Sequence, residues 1–203
     1  GVDYVTVEAQ CTPDGNFPTV ITPNPENPEA LSMAIRLAED TGANVVIGTD
    51  PDCDRVGIAV LHNGEYVLMT GNQVGALLVD FVLSNRKDTL SEKSTLVKTI
   101  VTSEVGADIA RSYGLNIVDT LTGFKYIGDQ IGRYEINGDR EFVIGYEESY
   151  GYLVGTHARD KDAVVSSMLI CQMAAYHKNN GRTLVDALNN IYAKFGFYLD
   201  ALD

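Results

Sequence analysis

Short apolar runs, separated by polar turns rich in proline and glycine, set the rhythm of this chain. Val45-Val46-Ile47 and Val56–Val60 are too short for helices and are bounded by turn residues, so both read as buried strands. Asn63-Gly64, between Val56–Leu61 and Tyr66–Met69, predicts a hairpin with a two-residue turn. Helical spacing takes over elsewhere. Leu31, Ala34, Ile35 and Ala38 form the apolar face of a helix that Asn27 caps, Pro28 opens and Gly42 ends. Asn72 is placed to cap a second helix, with Val74, Leu77, Leu78 and Phe81 on its buried face. Val2, Val5 and Val7 predict a strand at the start, followed by turn chemistry through residues 12–28.

The polar stretch Ser84–Ser94 reads as a boundary, after which a second cycle begins. Leu96–Thr102 predicts a strand, Val105, Ile109 and Ala110 a helix running to Gly114, and Asn116–Asp119 a further strand. Phe124, Ile127 and Ile131 sit at helical spacing, and Glu141–Gly145 is a strand that delivers the polar loop Tyr146–Gly151. Two helices close the chain. The first is expected to bury Val164, Val165, Met168 and Met173, the second Leu184, Leu188 and Ile191. This alternation predicts an α/β fold: two consecutive α/β domains, residues 1–91 and 92–203, with mixed, mostly parallel sheets flanked by helices. Ligand sites in such sheets lie at strand carboxyl ends, where the polar loops fall.

The loop between the first two apolar runs, Gly48-Thr-Asp-Pro-Asp-Cys-Asp-Arg55, carries the densest chemistry. Asp50, Asp52 and Asp54 repel one another by about 1 to 4 kcal/mol per pair at surface-like dielectric unless a cation sits among them. Hard oxygen ligands on a compact loop suit Mg2+, and Arg55 is a fixed cation able to hold a phosphate facing it. An EF-hand also starts Asp-x-Asp-x-Asp, but it needs Gly where Arg55 stands and Glu where Leu61 stands. An aspartate-nucleophile phosphatase would place Thr where Asp54 stands. The remaining rival is a solvated acidic turn without a ligand.

Composition narrows the partners. The 203 residues carry a net charge of -13, which argues against nucleic acid or an anionic membrane as the main partner. No apolar run is long enough to span a bilayer, and the three cysteines form neither a disulfide framework nor a zinc pattern, so a reducing cytoplasm is the expected setting. Cys53 reads as a small filler beside the acidic loop, since Mg2+ prefers oxygen.

With these motifs in order, the chain resembles the α-D-phosphohexomutase superfamily, the phosphoglucomutases and phosphomannomutases. Thr49–Arg55 resembles the metal loop of that superfamily, Thr122-Gly-Phe-Lys125 its third-domain loop and Gly145-Tyr-Glu-Glu-Ser149 its sugar-recognition loop. Phe17-Pro18, Pro23-Asn-Pro-Glu26 and Arg159-Asp-Lys-Asp162 also match. The resemblance implies the later part of the second of four domains and all of the third. A first domain bearing the catalytic phosphoserine is expected before Gly1, and a fourth that holds the substrate phosphate after Asp203. The chain is then an excised, inactive piece of a larger enzyme.

The resemblance also assigns roles. Asp50, Asp52 and Asp54 match the residues that hold Mg2+ against phosphoserine, and Arg55 their neighbouring catalytic cation. Glu147 and Ser149 match the pair that hydrogen-bonds adjacent sugar hydroxyls; read from the residues alone they form a turn cap. Thr122 and Gly123 resemble a loop that contacts the sugar, and by residue type also a helix N-cap. Lys161 matches a general acid–base candidate, if burial or Arg159 lowers its pKa; its plain alternative is a surface lysine paired with Asp160 or Asp162. The implied reaction interconverts glucose 1-phosphate and glucose 6-phosphate through glucose 1,6-bisphosphate, with the Glu-Glu-Ser-Tyr-Gly form favouring a phosphoglucomutase. Phosphomannomutase and phosphopentomutase relatives stay open. So does a non-catalytic Mg2+-binding or assembly module, with the fragment associating as a homo-oligomer.

Overall fold

A computed structural model describes residues 2–200. The outermost positions of the two expected domains, residues 1 and 201–203, lie outside the described residues.

The N-terminal segment holds the first correction. Residues 2–7 form no strand, and only a single helical turn, Glu8–Gln10, interrupts the irregular path to residue 27. Val2 and Val5 are exposed at 59% and 57%, and among the described residues no strand pairs with this segment. A valine-rich run without a neighbour to accept its backbone bonds does not become a strand.

A short helical turn, Pro28–Leu31, leads into helix α1, Ser32–Thr41. Asn27 provides no side-chain cap, so Pro28 starts the turn by its fixed φ alone. Gly42, at φ 69°, ends α1 as its position predicts. Strand β1, Val45–Thr49, then pairs antiparallel with β2, Val56–His62, and β2 with β3, Glu65–Met69. The second connection is the Asn63-Gly64 hairpin, with both residues at positive φ. This first sheet is antiparallel throughout, because neither connection is long enough for a crossover.

Helix α2, Gly71–Arg86, follows. Its cap is Thr70, not Asn72: the Thr70 hydroxyl accepts from the Gln73 N–H, and the Gln73 side chain accepts from the Thr70 N–H. Asn72 lies inside the helix, where its Oδ1 accepts from the Ser103 N–H at 3.1 Å. The second sheet is built from β4, Ser94–Thr99, β5, Asn116–Thr120, β6, Glu141–Glu147, and β7, Gly151–Val154, in the order β5-β4-β6-β7. β4 runs parallel to β5 and β6, whereas β7 folds back antiparallel on β6. The fold is therefore α/β as expected, with helices α3, Val105–Ser112, and α4, Phe124–Asn137, connecting strands of the second sheet. The sequence pattern shows no sign of β7, and Tyr146 and Glu147, expected in a loop, are the last residues of β6.

Helices α5, Ala163–Asn179, and α6, Leu184–Phe195, close the fold. The buried face of α5 is Ala163, Ser166, Ile170 and Met173; Val164 and Met168 are exposed at 66% and 51%, contrary to expectation. The phase is set at the start of the helix. Asp162 caps it through the Val165 N–H, and the Ala163 N–H donates to the Cys53 carbonyl, turning Ala163 inward. The α6 face, Leu184, Leu188 and Ile191, is buried as predicted. One apolar core runs from Val56, Ile58 and Val60 through Leu77, Leu78 and Leu83 of α2 to Leu96, Ile144 and Met173, and so joins the two sheets.

Candidate functional site

The acidic loop is held by its own first carboxylate. Asp50 Oδ1 accepts from the Asp54 and Arg55 N–H groups, both at 3.0 Å, and Cys53 takes φ +61° to close the turn. Cys53 also packs against the apolar core, as a filler should. The loop brings one oxygen each of Asp50, Asp52 and Asp54 within 4.8 Å of one another. Burial pushes the Asp50 carboxyl up, against the Arg55 N–H and with help from its acidic neighbours. Burial also works to raise Asp54, but the Lys161 ammonium, hydrogen bonding with Asp50 and the Arg55 charge bring it below the usual carboxylate range. Among the described residues nothing hydrogen-bonds the buried Asp54 Oδ1, and an orphaned carboxylate oxygen beside two further carboxylates fits a small, hard dication.

Two cations flank this loop. Arg55 reaches Glu26 at 3.3 Å, and its Nε lies 3.9 Å from both Asp50 and Asp54. Lys161 places its ammonium 2.8 Å from Asp54 Oδ2 and 3.4 Å from Asp160, with its side chain only 12% exposed. The Lys161 stem crosses Gly151, where any Cβ would overlap it. Burial alone would lower the Lys161 pKa, but Asp54, Asp160 and Glu147 outweigh it and leave the ammonium above its ordinary value. Arg159 is bound to Glu135 at 2.5 Å and not to Lys161. Lys161 is therefore paired with Asp54 from the acidic loop as well as with its neighbour Asp160. Asp162, the other partner expected for it, caps α5 and pairs with His157 at 2.7 Å.

The second set of residues sits beside the first. Glu147, at the carboxyl end of β6, is 4% exposed, and its Oε1 accepts from the Gly123 N–H at 2.9 Å. Burial raises its pKa, with the Gly123 N–H and the Lys161 charge opposing. Gly123 adopts φ 119°, which glycine tolerates and side-chain-bearing residues rarely do, and this turns its N–H toward Glu147. Thr122 is exposed and gives α4 no cap; Gly123 occupies that position with no side-chain bond. Ser149 is partly exposed in the tight turn that follows Glu147.

The acidic loop and this turn are joined through the backbone. The Val56 N–H donates to the Tyr150 carbonyl at 3.1 Å, Arg55 and Gly151 form an antiparallel bridge, and the Ala163 N–H reaches the Cys53 carbonyl at 3.1 Å. Asp50, Asp52, Asp54, Arg55, Lys161, Gly123, Glu147 and Ser149 thus belong to one ledge across the two sheets. Thr122 stands at its exposed rim, and Lys125 is turned over the Tyr126 ring. Two features escaped the sequence reading. Glu26 meets Arg55 from the Pro-Asn-Pro turn, and Lys98 is wholly buried at the end of β4, a charge inside an apolar strand that the sequence does signal.

Family models match nearly the whole chain. Residues 1–64 match phosphoglucomutase/phosphomannomutase alpha/beta/alpha domain II, and residues 70–195 match alpha/beta/alpha domain III. A phosphoglucomutase of Staphylococcus haemolyticus is 39% identical over 195 residues, covering 96% of this chain and 35% of the relative. A phosphomannomutase of Mycoplasmoides pirum is 37% identical over 195 residues, with coverage of 96% and 35%. A phosphoglucomutase/phosphomannomutase family protein from Burkholderia thailandensis superposes with a TM-score of 0.68 at 18% identity, over 88% of this chain and 35% of that one, a likeness of fold alone. The chain thus spans about a third of the length of these relatives.

Proposed function

This chain belongs to the phosphoglucomutase/phosphomannomutase family, and on that premise we propose that it is the central segment of a Mg2+-dependent phosphohexomutase acting on glucose 1-phosphate and glucose 6-phosphate. The reaction runs through a phosphoserine and glucose 1,6-bisphosphate, with the phosphoserine and the phosphate-holding domain supplied by other parts of the same polypeptide. The observation that carries this reading is the ledge: three carboxylates able to hold a dication stand beside a buried carboxylate and a serine able to hold sugar hydroxyls.

Each residue has a task that its geometry supports. Asp50, Asp52 and Asp54 would hold Mg2+, which supplies charge neutralisation to the phosphoryl group in flight. Arg55, kept beside them by Glu26, adds a fixed positive charge for phosphate oxygens. Lys161, 2.8 Å from Asp54, adds a second positive charge beside the loop and helps place the Asp54 carboxylate. Glu147 and Ser149 take adjacent sugar hydroxyls, the carboxylate accepting and the hydroxyl doing both. Gly123 sets the Glu147 carboxylate, and Thr122 is left at the rim to meet the sugar.

We place the junction of the two domains at the step from β3 to α2, near Thr70, and not at residues 84–94. The family models part between residues 64 and 70, and α2 packs chiefly against α3, α6 and β6. A cytoplasmic setting accords with three free cysteines. Among the described residues no helix is long and apolar enough to cross a membrane. Mannose phosphate is the second reading, favoured by the phosphomannomutase relative at 37% identity.

The test uses the full-length polypeptide and the isolated chain side by side, with Mg2+, glucose 1,6-bisphosphate and either glucose 1-phosphate or mannose 1-phosphate. The full-length protein should turn over glucose 1-phosphate with the higher kcat/KM, and the isolated chain should stay at the blank. A higher kcat/KM for mannose 1-phosphate would select the second reading. Turnover by the isolated chain would overturn its status as a segment.

A further inference from the structure

We propose that Glu148 is a positioning residue, whose carboxylate is gripped by the hydroxyls of Thr99 and Thr102 over a buried Lys98 and so fixes the turn that presents Glu147 and Ser149. The inference rests on the reading of Glu147 and Ser149 as sugar ligands, and the observations behind it lie beneath the ledge.

Lys98 has no exposed surface. A buried ammonium is tolerated only with full compensation, and here Glu104 and Asp119 lie 2.7 and 3.0 Å from Nζ. The same ammonium donates to the carbonyls of Thr102, at 3.1 Å, and Thr99, at 3.4 Å. These bonds fold the segment after β4 back on itself, bringing the Thr99 and Thr102 hydroxyls 2.7 Å apart. Glu148 Oε2 lies 3.2 Å from Thr99 Oγ1 and 3.0 Å from Thr102 Oγ1. Two protons serve these three contacts, so in any one arrangement one hydroxyl donates to the other and the second donates to Glu148, whose acceptor-only oxygen closes the cluster.

Glu147 and Glu148 are thereby held in opposite directions. Glu147 turns to Gly123, just ahead of α4, and Glu148 to the end of β4. The backbone of the turn is pinned as well. The Glu148 carbonyl sits where a Cβ on Gly71 would be, and the Tyr150 carbonyl accepts from Val56. With its oxygen committed to the threonines, Glu148 acts on the sugar through the placement of its neighbours.

The test reads placement directly in this chain, by amide hydrogen exchange at Gly123, whose N–H is bonded to Glu147. Glu148→Ala should speed that exchange about tenfold, the loss of roughly one hydrogen bond, while Glu148→Gln, which keeps an acceptor oxygen, should stay within about threefold of wild type. Thr102→Val should behave like the alanine variant. In the full-length polypeptide, Glu148→Ala should raise KM for glucose 1-phosphate about threefold with kcat within about twofold, and glutamine should restore it. Thermal unfolding followed by circular dichroism shows which variants fold; if Glu148→Ala does not, Thr102→Val and Glu148→Gln decide. Unchanged exchange at Gly123 in the folded variants overturns the proposal, as does a glutamine variant as loose as alanine. Failure of the underlying sugar reading looks different: Glu147→Ala would then keep wild-type kcat/KM whatever the exchange at Gly123 shows.

Discussion

Replacing Glu147 separates the cost of burying its charge from the use made of that charge. The side chain is 4% exposed, accepts one hydrogen bond from Gly123 at 2.9 Å, and has a pKa raised above the ordinary 4.5, chiefly by burial. A raised carboxyl binds its proton more tightly in the folded state. Its contribution to stability is therefore complete below pH 4.5 and is lost as pH climbs through the raised value. Glu147→Gln keeps the acceptor for Gly123 and cannot ionise, so its stability relative to wild type should grow across that window. Glu147→Ala loses the acceptor as well, leaving the Gly123 N–H unpaired at a cost of about 1–3 kcal/mol. Function should move the other way. Hydrogen bonds from sugar hydroxyls to a charged carboxylate contribute about 1.5–3 kcal/mol, so kcat/KM for glucose 1-phosphate in the full-length protein should fall about tenfold or more. The ratio of glucose to mannose substrate should shrink with it. Urea unfolding of the chain at about pH 4 and pH 8 reads the first effect, and steady-state kinetics the second. A glutamine variant whose stability relative to wild type is the same at both pH values, or one that keeps full kcat/KM on both sugars, would refute the reasoning.

Four further outcomes are expected. Asp52 is exposed, so Asp52→Asn should leave the unfolding midpoint nearly unchanged while calorimetry shows Mg2+ binding weakened about tenfold or more; Asp50→Ala, which strips the acceptor of two backbone N–H groups, should instead destabilise by about 1–3 kcal/mol. Lys161→Met removes an ammonium 2.8 Å from Asp54, so Mg2+ should bind the chain more tightly as kcat of the full-length protein falls; weaker Mg2+ binding would show that Lys161 does not compete for that carboxylate. A Cβ at Gly71 would overlap the Glu148 carbonyl, so Gly71→Ala should lower stability by about 1–3 kcal/mol in denaturant unfolding, and an unchanged midpoint would mean that the turn yields freely.

What the sequence determined by itself was local. The Asn63-Gly64 turn, the Gly42 terminus of α1 and the apolar face of α6 each follow from the conformational preferences or spacing of a few neighbouring residues. The spacing of Asp50, Asp52 and Asp54 likewise gathers three carboxylates wherever the loop lies, because its own backbone N–H groups close onto Asp50. The tertiary structure decided whatever depends on a distant partner. Val2, Val5 and Val7 have the composition of a strand, but among the described residues no strand pairs with them. Val164 and Met168 have helical spacing, but the Ala163 bond to Cys53 turns them to solvent. β7 exists because β6 offers it an edge, and the tight turn between them puts Tyr150 beside Val56, almost a hundred positions away in the chain. Lys161 shows the difference most plainly. Its residue type and neighbours in sequence allowed either a depressed pKa or a surface ion pair, and the packing of β7 and α5 on the acidic loop brought to 2.8 Å a partner, Asp54, from over a hundred positions away. Periodicity and turn chemistry act over a few residues, whereas the electrostatic environment of a side chain is set by whichever groups the fold brings within a few ångströms of it.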